Sequence, residues 1–160
     1  MRRIYPPLPP PELGQWATEI RQLLADLERA VGPEAHTSGE CEPPLDVFEN
    51  DQAMEVRLDV PGVPAEGLRV VCKRGVLLVA GAKARPEGVT PPGATFHVVE
   101  RAFGRFVRAV RLDAALDVAR ARAVLGDGEL RVIIPKRVDR RGREQHIPIE
   151  VLPPGSGSSA

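Results

Sequence analysis

Two stretches of this chain place an apolar side chain on every second residue, and that period restricts the backbone to extended strands. Met54, Val56, Leu58 and Val60 alternate with Glu55, Arg57 and Asp59; Leu68, Val70 and Cys72 alternate with Arg69 and Lys73. Successive side chains of a strand point to opposite faces, so each stretch has one apolar and one wet face. Pro61-Gly62 ends the first, and Arg74-Gly75 turns the second into the apolar run Val76–Ala80. Further strands are expected at 97–101, 105–112, near 120–125 and at 129–134, with Gly126-Asp127-Gly128 as a tight hairpin between the last two. About eight short strands separated by turn signals predict an all-β fold, an antiparallel immunoglobulin-like β-sandwich. No helix-length segment interrupts them, which excludes a parallel α/β sheet.

A different period governs residues 1–42, read as an N-terminal arm. After the proline-rich stretch Pro6–Pro11, which favours an extended backbone, Leu13, Trp16, Ile20, Leu23, Leu24, Leu27 and Val31 recur at three- and four-residue steps. This predicts an amphipathic helix over about residues 12–31, stopped by Gly32-Pro33. Its other side carries Glu19, Arg21, Asp26, Glu28 and Arg29. Such a stripe either packs on its own domain or buries itself against another subunit or a non-native protein. Residues 33–42 read as linker and residues 43–137 as the sandwich. Within it, 82–96 form a long connection with Pro86, Gly88, Pro91, Pro92 and Gly93. Beyond it, 138–160 form a polar extension interrupted by the apolar Ile147-Pro148-Ile149 and closing in the flexible Gly155–Ala160.

Composition removes several classes of function. Serine occurs only at 38, 156, 158 and 159, and threonine at 18, 37, 90 and 95, none beside a plausible base, so a hydroxyl nucleophile has no setting. His36, His97 and His146 lack metal-ligand spacing. Cys41 and Cys72 make neither a disulfide framework nor a zinc site. Gly126 and Gly128 lie between two strands, as a hairpin and not a phosphate loop. No cofactor is expected. The 22 basic and 22 acidic residues balance, which disfavours nucleic acid as a partner; the arginines at 137, 140, 141 and 143 read as a solvated linker. No apolar run approaches the ~20 residues of a membrane helix, and Met1–Pro6 carries no apolar leader. A cytoplasmic protein is expected.

Six segments in order resemble the small heat-shock proteins, whose core is the α-crystallin domain. They are Pro44–Glu49, the D-x-P-G turn Asp59–Val63, Val76–Gly81, the E-R-x-x-G-x-F segment Glu100–Phe106, Ala123–Leu130 followed by Pro135-Lys136, and the tail I-x-I motif Ile147–Ile149. Glu129 stands where the signature usually has an apolar residue. The resemblance implies an ATP-independent holdase, not an enzyme, that binds unfolding proteins and prevents their aggregation. Its implied partners are non-native clients and itself, as a homodimer or larger oligomer. It implies that Ile147 and Ile149 dock in a groove walled by Leu68 and Val70 on one side and Val118 or Val124 on the other. Two apolar side chains at i and i+2 share one face of a strand, and Pro148 keeps the backbone extended. Arg108 matches the strand arginine at the dimer interface; on a strand face shared with Phe106, Val110 and Leu112 it must snorkel or find a carboxylate. Leu13, Trp16, Ile20, Leu23, Leu24 and Leu27 would form the client-binding arm, though the family's usual phenylalanines are missing from it. Residues 82–96 hold prolines where bacterial and plant relatives place a dimer-forming strand, and proline removes a ladder donor. The alternative is a β-sandwich co-chaperone or adaptor mediating protein–protein interaction, which would need no tail motif.

Overall fold

Two tight turns decide which alternating stretches become neighbours. In the computed structural model, which describes residues 14–31, 41–86, 88, 90–113 and 115–137, Arg74 and Gly75 take φ of 49° and 72°, and Asp127 and Gly128 take 51° and 77°. Positive φ at both central residues matches the right-handed twist of the flanking strands. The first turn joins β3 (Leu68–Lys73) to β4 (Val76–Lys83), the second β6 (Arg122–Gly126) to β7 (Glu129–Pro135). With β1 (Leu45–Glu49), β2 (Ala53–Asp59) and β5 (Gly104–Arg111), they form two antiparallel sheets ordered β1-β2-β7-β6 and β3-β4-β5.

The inward residues of both sheets meet in one core. Met54, Val56, Leu58, Leu130, Val132 and Ile134 from the four-stranded sheet pack with Leu77, Val79, Phe106 and Val110 from the three-stranded one. Gly81 stands opposite Phe106, and a methyl group there would lie 2.2 Å from the ring's Cζ. The outer faces differ sharply. That of the four-stranded sheet is wet: Arg57 pairs with Glu55 at 2.8 Å and lies 5.0 Å over the Phe48 ring. That of the three-stranded sheet is apolar, so β4 is buried on both sides from Val76 to Ala82.

The all-β sandwich stands, with seven strands among the described residues. The strand expected at 97–101 is absent: residues 94–103 are irregular, with Val98 and Val99 largely exposed. A strand exists only with a partner, and no edge of this chain's own sheets pairs with that stretch. The arm helix α1 runs from Ala17 to Val31, after a single tight turn at Gly14–Trp16. Leu13 lies outside the described residues.

Candidate functional site

Helix α1 lies on the apolar outer face of the three-stranded sheet. Trp16, Leu23 and Leu27 are buried against Val76, Leu78, Ala80 and Ala109, with Ile20, Leu24, Val71 and Val107 half-buried around them. Of the two placements open to this stripe, the structure has the helix on its own domain. An isolated helix of this length is marginal in water, so its helicity depends on that contact. Charges close both ends: Glu19 accepts from Lys73 at 3.0 Å and lies 3.9 Å from Arg74, and Glu28 accepts from Arg105 at 2.8 Å. The Arg74 guanidinium sits 5.7 Å over the Trp16 ring. The fit has one flaw. Among buried side-chain nitrogens and oxygens of the described residues, Trp16 Nε1 finds no hydrogen-bond partner, a desolvation cost of about 1–3 kcal/mol.

The hydrogen bond from Lys73, with Glu19's own backbone N–H and the nearby Arg74 charge, holds the Glu19 carboxyl below its ordinary 4.5. A lowered folded-state value stabilises the docked form above the free value and is lost as pH falls through the lowered one. Helix docking is therefore expected to weaken as pH is taken below 4.5. Trp16 is the only tryptophan, so its emission should move to the red in that window before circular dichroism reports loss of the sheets.

The residues expected to wall a groove divide between two environments. Leu68 is buried in the inter-sheet core, and Val70 packs against it. Val124 stands opposite Arg131 on β7, on the far side of the sheet from Leu130 and Val132, and is 43% exposed. Val118 lies in a short turn before β6 and is also exposed. On that side Leu125 and Ala121 join the core alongside Val70 and Cys72. Reading the alternation backwards through the hairpin from Leu130 picks out Leu125; Ala121 carries no such signal. Burial pushes the Cys72 thiol up, which favours its neutral form.

Arg108 finds its carboxylate. Its side chain, 11% exposed, donates to Glu42 at 3.0 Å and to the Pro43 carbonyl at 3.1 Å, in the segment whose Cys41 N–H reaches the Arg105 carbonyl. Glu42 is 84% exposed, so Glu42→Gln is expected to cost less than about 1 kcal/mol in a melting experiment.

A family model described as Hsp20/alpha crystallin matches residues 46–150, most of the chain. The chain belongs to the Hsp20/alpha crystallin family. Two rice (Oryza sativa subsp. japonica) heat-shock proteins are similar to it. The 21.9 kDa protein is 39% identical over 107 residues, covering 62% of this chain and 52% of that one. The 18.9 kDa protein is 38% identical over 106 residues, covering 66% and 59%. The matches thus span little more than half the length of these relatives. Among solved structures, heat shock protein 16.0 of Schizosaccharomyces pombe superposes with a TM-score of 0.56 at 28% identity, covering 69% of this chain and 99% of that one. This is a family of chaperones and not of enzymes.

In an Hsp20 chain the segment between β4 and β5 acquires interest beyond its irregular shape. Phe96, Val98 and Val99 are exposed. Phe103 nearby is ringed by cations, with Arg85 and Arg101 each 4.9 Å and Lys83 5.7 Å from its centre. The family match includes Ile147-Pro148-Ile149, which lie outside the described residues. Among the described residues no helix is long and apolar enough to cross a membrane, and no three His, Cys, Asp or Glu side chains gather into a metal site.

Proposed function

We propose that this Hsp20 chain is an ATP-independent holdase that binds unfolding proteins and keeps them from aggregating. The observation that carries this reading is a sandwich whose three-stranded sheet is apolar on both faces, next to a segment exposing Phe96, Val98 and Val99. Non-native chains associate through exposed apolar surface and bare strand edges, and a protein with apolar surface of its own competes for those contacts by binding alone. The partners are non-native clients and further copies of the chain. Self-association uses the exposed 96–99 segment and the edge near Arg108, giving a dimer or larger oligomer. The tail motif docks in a groove beside Leu68 and Val70, a reading supported by Leu125, which is partly buried against the same core. The compartment is the cytoplasm, in keeping with two unpaired thiols, Cys41 and Cys72.

Light scattering from a heat-labile client tests the activity. Near-stoichiometric amounts of this protein should suppress the signal equally with and without ATP. Equal scattering with and without the protein would sink the holdase reading and leave the adaptor.

A further inference from the structure

The ground under α1 has the makings of a binding site that α1 occupies. Its floor is flat and aliphatic, built by Val76, Leu78, Ala80 and Ala109. Cations stand at its ends: Lys73 and Arg74 pair with one end of the helix, Arg105 with the other. The helix meets it through an apolar stripe flanked by Glu19 and Glu28. Nine residues apart, the two span about 13.5 Å along a helix.

We propose that this outer face of β3-β4-β5 is a client site for an amphipathic helix of a non-native protein flanked by acidic residues, and that α1 holds the site until it is displaced. The inference rests on the holdase reading and names the surface and partner chemistry it uses.

Three observations support displacement. The sandwich does not need the helix: among the described residues its core has fifteen buried side chains from the strands and their connections, and none from α1. The patch under the helix has seven among the described residues, two of them from α1 and Trp16 from the turn before it, so it opens as a separate unit at lower temperature than the sheets. The docked helix also leaves the Trp16 indole N–H unpaired, a defect that a client helix without tryptophan does not share. Heat thus uncovers the face under conditions in which clients also unfold, and the acidic flanks of a client replace Glu19 and Glu28.

Trp16 reports this directly in the unaltered full chain. With reduced insulin B chain as a client free of tryptophan, Trp16 emission should shift to the red and become quenchable by acrylamide as client is bound. The same shift should begin on heating before circular dichroism reports melting of the sheets. Glu19→Lys with Glu28→Lys should release the helix and raise client protection several-fold at a temperature where the parent protects weakly. Adding Ala109→Glu, which charges the face on the side away from the sandwich core, should cancel that gain while the sheets still melt cooperatively. Protection with Trp16 still buried overturns the inference alone, as does a gain that survives Ala109→Glu. So does cross-linking that finds α1 seated on a neighbouring copy while client is held, since the face is then an assembly surface. Absence of any protection by the parent protein removes the holdase reading, and this inference with it.

Discussion

Gly81→Ala is expected to lower the melting temperature of the sandwich more than any other single-methyl addition in it. The new Cβ would stand 2.2 Å from Phe106 Cζ and 2.6 Å from Cε1, well inside van der Waals contact. Neither side can yield cheaply. Gly81 lies in the central strand of its sheet, paired on both sides, and Phe106 is 3% exposed in a packed core. Overpacking of this kind costs about 3 kcal/mol, the upper part of its usual range. For a domain of this size that is roughly 12–24 °C in melting temperature. Thermal unfolding by circular dichroism measures it, and a double variant identifies the cause. Phe106→Leu removes most of the ring, so Gly81→Ala should cost far less in that background than in the parent. Equal costs in the two backgrounds would mean that the glycine is needed for its backbone and not for the ring above it.

Ile147→Ala with Ile149→Ala is expected to shift the assembly toward dimers while leaving the sandwich folded. The motif follows the end of β7 by eleven residues of polar chain, which extended reach at most ~40 Å, enough for a groove on a neighbour as well as its own. Each isoleucine contributes roughly 1.5–3 kcal/mol on full burial, before the cost of ordering the tail. A single tail therefore holds weakly, and several in one assembly act together through effective concentration. Size-exclusion chromatography with light scattering gives the mass, and circular dichroism confirms the fold. A parent protein that is only a dimer at high concentration would show that the tail caps its own groove; the double variant should then bind an apolar dye more strongly. Substituting Leu125 by Ser should reproduce either phenotype from the groove side, at some cost in stability because Leu125 also touches the core.

How much of this was written in the sequence depends on whether the determining contact is local. β2 and β3 are legible because each buries one face and wets the other, and the two hairpins because Arg74-Gly75 and Asp127-Gly128 take the positive φ that such turns require. Residues 97–101 look like a strand by composition, yet pairing is a relation between distant segments, and among the described residues that stretch has no partner. The stripe of α1 is plain from its spacing, but a stripe does not name its counterpart; that came from the second apolar face of β4. Arg108 needed a carboxylate, and its position in the strand did not point to Glu42, which lies sixty-six residues earlier. Val124 is apolar in the sequence yet lies on the exposed face of its sheet, and only the pairing with Arg131 reveals it.

A strand apolar on both faces loses something that its neighbours keep. In β2, sliding by one residue would turn Glu55 and Arg57 inward, so its pattern alone enforces alignment. In β4 the same slide would exchange Leu77 and Val79 for Val76 and Leu78, all equally apolar, and burial would scarcely notice. Alignment there must be enforced by shape. A slip in either direction brings Ala80 or Ala82 opposite Phe106, where the ring tolerates no side chain at all. The one residue without a side chain is thus the error check on the most hydrophobic strand, a mark that the chain can be threaded into its sheet in a single way.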